Sequence, residues 1–196
     1  MLIRNIWAVG RNYADHAKEL GNEVPSQPMI FLKAGSSGTV NSTEILLPHW
    51  SENVHHEVEL ALKFNSHLQV NEAAVCLDLT ERTAQNIAKK EGKPWTLAKS
   101  FKEACPISAF FSVKNLDELQ DLDIKLWINE ELRQSGNTRQ MIFGIPQLVE
   151  YVLEHFPVCP GDMLLTGTPA GVGPLMRGDK VRAQIQGQIT HIWQVN

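Results

Sequence analysis

His55-His56-Glu57-Val58-Glu59-Leu60-Ala61-Leu62-Lys63-Phe64 alternates between two kinds of side chain. Val58, Leu60 and Leu62 point one way and Glu57 and Glu59 the other, the period of a β-strand with one buried face. The pattern predicts a single strand over His56–Phe64, with two carboxylates side by side opposite an apolar face. Like charges that close repel unless protons or a cation compensate. A set of carboxylates alone suits Mg, Mn or Ca better than zinc. A bare Glu-x-Glu is more often a solvated strand face than a metal site, so the pair needs a third acid. Asp78, inside the short apolar run Cys76-Leu77-Asp78-Leu79, supplies one. An acid in a strand interior is disfavoured without a partner or ligand, although Asp78 alone also reads as a cap for the helix near Thr80. Glu57, Glu59 and Asp78 together make a minimal hard-cation site with positions left for substrate.

Outward from this stretch the chain reads as strands joined by turns. Ile3–Val9 is a predicted strand stopped by Gly10, and residues 13–20 a short helix stopped by Gly21, with Ala14, Ala17 and Leu20 at helical spacing. Met29–Lys33 is a strand and Gly35–Gly38 a loop. Thr80 is the expected N-cap of a helix over Glu81–Glu91 that ends at Gly92. Strands follow at Ile107–Val113, Ile124–Asn129 and Leu132–Gln134, the last two joined by a tight turn at Asn129-Glu130. Pro146 suits a first helical turn, and Leu148, Val149, Val152, Leu153 and Phe156 continue at the helical period. Met163–Thr166 is a strand, and Val181–Ile185 and Ile189–Val195 form a hairpin around Gly187. Many strands and few helices, without a βαβ repeat, define an α+β fold.

Length and composition bound the function. The 196 residues fit one domain, and 43% hydrophobic content suits an ordinary globular core. The net charge of −4 and a longest basic run of only Lys89-Lys90 give no footprint for nucleic acid or an anionic membrane. No stretch is apolar enough for a membrane span and no secretory signal is read, so the cytoplasm is the expected compartment. Cys76, Cys105 and Cys159 are scattered, which predicts free thiols in place of a disulfide framework or a thiolate zinc site.

Other groups suggest what the cation site does. His16 and Glu19, three apart on the first helix, share a face, so the carboxylate can orient the imidazole to take a proton from water. Such a spacing is more often an idle exposed pair. Gly10-Arg11-Asn12 before them is a candidate hinge for a closing lid. Lys99, among apolar neighbours, is a candidate buried cation for a carboxylate or enolate. Gly167-Thr168-Pro169-Ala170-Gly171-Val172-Gly173 lacks the Gly-Lys-Ser/Thr of a phosphate loop. It reads as a rigid turn presenting backbone amides and the Thr168 hydroxyl.

Six motifs in this order resemble the fumarylacetoacetate hydrolase family, in particular its short acylpyruvate hydrolase and oxaloacetate decarboxylase branch. They are Val9-Gly10-Arg11-Asn12-Tyr13-Ala14-Asp15-His16, Phe31-Leu32-Lys33, His55 to Glu59, Leu77 to Thr80, Trp95 to Phe101, and Leu165 to Gly173. The resemblance implies a mostly β architecture with a mixed, rolled β-sheet and a few short helices, a homodimer, and Mg2+ or Mn2+ bound by Glu57, Glu59 and Asp78. It implies His16 and Glu19 as the water-activating pair on a segment that orders over the substrate, and Lys99 as the group that binds the oxo-acid. Arg82, Gln85 and Thr168 become substrate contacts, the first two on one helix face. The expected reaction is hydrolysis of the C–C bond of a 3-acylpyruvate to pyruvate and a carboxylate. Oxaloacetate decarboxylation or keto–enol tautomerisation is the alternative in the same site. A non-catalytic metal- or ligand-binding member is the rival of another class. One departure stands out: the stretch between Glu59 and Asp78 is shorter than in comparable members. The intact flanking motifs favour residues missing at the Ala74–Val75 step over a true deletion.

Overall fold

The computed structural model describes residues 3–19, 21 and 24–196. Its largest sheet has eight strands. Six follow one another in space as Met29–Ala34, Asn5–Gly10, Met163–Leu165, Val58–Phe64, Val70–Leu77 and Cys105–Ile107, with Gly38–Val40 beyond them. Phe111–Ser112 pairs separately with Val70–Leu77. The sheet is mixed: Asn5–Gly10 runs parallel to Met163–Leu165, and Gly38–Val40 parallel to Cys105–Ile107. A five-stranded sheet is built from Glu131–Asn137, Asp123–Ile128, Lys180–Ile185, Ile189–Val195 and Glu44–Ile45. A small third sheet joins Gly173–Pro174, Val54–His56 and Thr80–Glu81. The described helices are short: α1 (Ala14–Glu19), α2 (Arg82–Glu91), α3 (Thr96–Lys99) and α4 (Ile145–His155). The architecture is the expected one, mostly β with a mixed, curled sheet. Leu20 of the predicted first helix lies outside the described residues.

The period-2 pattern explains how the layers meet. Trp7, Val9, Val58, Leu60, Leu62, Val75, Leu77 and Leu164 face the main core, where Leu126, Ala183 and Trp193 of the five-stranded sheet and Leu148 and Val152 of α4 close over them. The alternate residues Ile6, Ala8, Ala61, Ala74, Cys76, Met163 and Leu165 form a second, smaller cluster with Cys105 and Ile107 on the other face. Both faces are covered, so even the small alternate positions are apolar. Cys76 and Cys105 are the expected buried free thiols, and Cys159 is half-buried and also free.

Several boundaries differ from expectation. The predicted strand over 56–64 is two strands, Val54–His56 and Val58–Phe64, in different sheets, with the chain switching between them at Glu57. Gln134 explains the break: its Oε1 accepts from the Val58 amide at 3.0 Å and from His56 Nδ1 at 2.9 Å, taking the place of a strand partner. Ile107–Val113 likewise divides into Cys105–Ile107 and Phe111–Ser112. The loop expected at Gly35–Gly38 is a 3-10 turn leading into the strand Gly38–Val40. Thr80 is a strand residue, and Glu81 caps α2 through its carboxylate and the Ala84 amide. Gly92 ends that helix at φ 64, as expected. Asn129 and Glu130 both have positive φ, 49 and 70, which is the twist a two-residue hairpin turn needs.

The gap expected near Ala74–Val75 is not there. Val70–Leu77 is continuous and pairs with Val58–Phe64 from Val58–Leu77 to Phe64–Val70, with one register shift at Lys63–Phe64. A turn closed by Asn65, whose amide donates to Gln69 O and whose side chain accepts from the His67 and Gln69 amides, joins them directly. The strand register that this turn leaves carries Asp78 to its place.

Candidate active site

The ladder continues past its last full pair. The Asp78 amide donates to Glu57 O at 2.8 Å, so Asp78 sits across from Glu57 just as Cys76 sits across from Glu59. Residues 57 and 59 share a face, and 78 lies directly across on that same face. Their carboxylate oxygens accordingly lie within 4.8 Å of one another, and all three residues are buried. The two strand ends thus bring together the acids that the sequence singled out.

Three cations surround them. Lys99, at the end of α3, donates to Asp78 Oδ2 at 2.6 Å, to Glu57 Oε2 at 2.9 Å and to Thr80 Oγ1 at 2.6 Å. Arg82, in the first turn of α2, donates to Glu57 Oε1 and to Gln85 Oε1, each at 2.6 Å. Lys33, fully buried on Met29–Ala34 at the end of the sheet's strand order, donates to Asp78 Oδ1 at 2.6 Å and to Leu79 O at 3.2 Å. Burial alone would raise the pKa of Glu57, but Lys99 and Arg82 outweigh it and hold the group well below the usual carboxylate range. Glu59 moves the other way. Burial, with Asp78 and Glu57 close by, pushes its pKa well above the ordinary value, against the pull of Lys99 and of the Gly167 amide, 2.6 Å from its Oε2. Burial disfavours the Lys99 ammonium, yet Asp78 and Glu57 raise its pKa overall.

A divalent cation fits this donor set. Three buried carboxylates converge, one of them with no ammonium or guanidinium bonded to it, and oxygen donors alone suit Mg or Mn. The cleft above them is lined by His16, Phe31, Arg82, Gln85, Lys89, Trp95, Lys99 and Thr168, among others. About 30 Å3 of it is open to water-sized occupants, room for little more than one or two of them.

α1 closes over the cleft. His16 Nδ1 lies 3.1 Å from Glu19 Oε2, and as a carboxylate oxygen only accepts, Nδ1 carries the proton and Nε2 is left for the cavity. Glu19 Oε1 accepts from the Gly171 amide at 3.0 Å, which fastens the helix to the opposite loop. The Gly167–Gly173 loop therefore does present amides, Gly167 to Glu59 and Gly171 to Glu19. Both glycines have φ near +100, and a Cβ on Gly171 would lie 2.0 Å from Arg133 O. Asn12, expected to be part of a hinge, is instead an anchor. It is buried, donates to Phe143 O and Thr166 O, and accepts from the Phe143 amide.

Each candidate residue thus has a place: Glu57, Glu59, Asp78 and Lys99 at the base, Arg82 and Gln85 on one wall, Thr168 on another and the His16–Glu19 pair above. Lys33 and Gln134 were missed. Gln134 holds the site's frame, since its Nε2 donates to Thr168 Oγ1 and Pro169 O at 2.8 Å while its Oε1 serves His56 and Val58. Lys33 had a signal, a lysine in the apolar strand Met29–Ala34, whereas a glutamine in a hairpin gives none.

The fold and the acid–lysine centre define a family, and comparison with known proteins bears this out. The model for the fumarylacetoacetate (FAA) hydrolase C-terminal family matches residues 5–196. The chain belongs to that family. The oxaloacetate tautomerase FAHD1, mitochondrial, of Homo sapiens is 42% identical over 202 residues, covering 98% of this chain and 91% of that protein. An oxaloacetate decarboxylase, mitochondrial, of Dictyostelium discoideum is 41% identical, over 94% of this chain and 89% of the other. Among solved structures, a fumarylpyruvate hydrolase from Pseudomonas aeruginosa in complex with Mn2+ and pyruvate superimposes with a TM-score of 0.92 at 29% identity. It covers 98% of this chain and 89% of that one. Both relatives are mitochondrial by name, whereas the sequence reading took the cytoplasm as default. No described helix is long and apolar enough to cross a membrane.

Proposed function

We propose that this chain is a divalent-metal-dependent enzyme that forms and resolves the enolate of oxaloacetate, in keto–enol tautomerisation and decarboxylation. One observation carries the reading: the charge inventory of the buried site. Glu57, Glu59 and Asp78 are offset by Lys33, Lys99 and Arg82. At the floor of the cleft a divalent ion then leaves a surplus of positive charge in a space with little water, and with Arg11 and Lys89 further along the same cleft the site suits an oxo-acid carrying more than one negative charge. The two relatives named for oxaloacetate chemistry support the same choice.

Glu57, Glu59 and Asp78 would hold the ion, which when bound polarises the 2-oxo group as a Lewis acid. Lys99 keeps a positive charge beside the oxygen on which enolate charge develops, and its raised pKa keeps it protonated. His16, through Nε2, takes a proton from C3 or returns it there, while Glu19 fixes the tautomer and offsets the charge on the ring. In decarboxylation the C3–C4 bond breaks and carbon dioxide leaves; His16, having taken a proton from water at Nε2, delivers it to C3 and so turns the pyruvate enolate into pyruvate. Hydrolysis of a 3-acylpyruvate, the reaction expected first from the sequence, is the second reading. The His16–Glu19 pair favours it, since the same Nε2 can take a proton from an attacking water, as does likeness to the fumarylpyruvate hydrolase.

Purified protein assayed with oxaloacetate and with acetylpyruvate, each with Mg2+, Mn2+ or EDTA, separates the readings. The expected result is metal-dependent loss of the enol absorbance and release of pyruvate from oxaloacetate. Turnover of acetylpyruvate alone would hand the site to the hydrolase reading.

A further inference from the structure

Each of the three deep cations of the cleft is already engaged. Lys33 and Lys99 are bonded to Asp78, Lys99 also to Glu57, and Arg82 to Glu57 and Gln85. Two further cations line the same cleft nearer its mouth, Arg11 and Lys89. Among the described residues neither has a carboxylate or carbonyl partner. Among the described residues the Lys89 ammonium meets the Trp95 ring, 5.6 Å from its centroid.

Their placement follows from the elements that carry them. Arg82, Gln85 and Lys89 stand at i, i+3 and i+7 of α2, hence on one face, rising from the floor of the site toward its opening. Lys89 is then about 10 Å along the helix axis from Arg82, at about 1.5 Å per residue. Arg11 has a φ of 60, a left-handed conformation uncommon for a residue other than glycine, and its position on the cleft wall depends on that turn. The two cations are close enough that Arg11, after burial, is the largest influence lowering the pKa of Lys89. Like charges lining one cleft repel, and an anionic ligand placed between them relieves that repulsion.

We propose that Lys89 and Arg11 are specificity residues that receive the distal carboxylate of the substrate, so that the site selects 2-oxo diacids over 2-oxo acids with a neutral tail. This rests on the oxo-acid reading above and adds which end of the substrate is recognised where. The head of the substrate meets the carboxylate floor and Lys99. The tail lies between the Phe31 and Trp95 rings, which pack 5.7 Å apart, and the two outer cations. The uncharged wall would give a methyl-terminated chain as much contact as a carboxylate, so the discrimination comes from the two cations alone.

The test uses 2-oxoglutarate and 2-oxopentanoate, which differ only in a distal carboxylate against a methyl group. Calorimetric titration into the Mg2+-loaded protein reads binding independently of turnover. Lys89→Met keeps the stem against Trp95 and removes the charge; Arg11→Gln does the same for its partner. For either variant, 2-oxoglutarate should bind about tenfold more weakly, the scale of one lost charge-assisted hydrogen bond, while 2-oxopentanoate changes by less than about twofold. Equal weakening of both ligands, or no change in either, would overturn the assignment and leave the oxo-acid reading standing. Wild-type protein that binds neither ligand in the presence of Mg2+ would sink the oxo-acid reading and this assignment with it.

Discussion

Lys33 offers the sharpest test of how the site is balanced. It is fully buried, and its ammonium serves Asp78 and the Leu79 carbonyl. Lys33→Met keeps length and apolar volume and removes the charge. Breaking a buried pair by deleting one partner costs about 3–5 kcal/mol where the other charge is left bare, and falls toward the lower end here, where Lys99 still holds Asp78 Oδ2. In a chain of this length each kcal/mol moves the midpoint by about 2–4 °C, so the metal-free variant should melt about 6–12 °C below wild type. Two companions separate charge from packing. Adding Asp78→Asn to Lys33→Met removes the carboxylate that Lys33 offset, so the double variant should be more stable than the single one, with Lys99 still paired to Glu57. Mg2+ should raise the midpoint of Lys33→Met more than that of wild type, because the ion replaces a positive charge next to Asp78. Circular dichroism melts with EDTA or Mg2+ measure all four quantities. A double variant no more stable than Lys33→Met would show that the loss came from packing, and the charge argument would fail.

Other outcomes follow from the same contacts. Replacing His16 or Glu19 by Ala should abolish turnover while Mg2+ affinity, read by calorimetry, stays within about twofold, since neither is placed as a ligand; unchanged turnover in both variants moves the proton-transfer role elsewhere. Glu59 holds its proton more tightly folded than unfolded, so its contribution to metal-free stability is complete below about pH 4.5 and is lost as pH rises through the raised pKa. Glu59→Gln should flatten that part of the stability–pH curve and abolish stabilisation by Mg2+, both measurable by denaturant titration across pH. Gly167→Ala, with φ at +97 and a Cβ 2.7 Å from that of Asn12, should cost about 1–3 kcal/mol in urea unfolding and weaken Mg2+ binding by shifting the amide that holds Glu59.

What the sequence could and could not show divides along a physical line. Residues whose role depends on local period were legible. Val58, Leu60 and Leu62 fell on the main core face, Leu148, Val149 and Val152 of α4 did the same while Leu153 of that stripe is exposed, and the acids at 57, 59 and 78 met. Each of these rests on alternation or helical spacing, which the chain carries within a few residues. Gln134 was illegible because its function lies in partners 76 and 78 positions away, and nothing near it demands a polar group. The break at Glu57 was hidden for the same reason, since a strand that changes sheets keeps its alternation while its hydrogen bonds change owner. The segment before Asp78 misled through analogy: its shortness was taken as a sign of residues missing at the Ala74–Val75 step. Register decides the matter, because in an antiparallel pair the position of Asp78 relative to Glu57 depends on ladder pairing, and removing residues from the connection leaves that pairing intact. A cation site built across two strands is therefore insulated from what joins them, and the long-range partners that balance its charge, Lys33 and Arg82, are where the site is vulnerable.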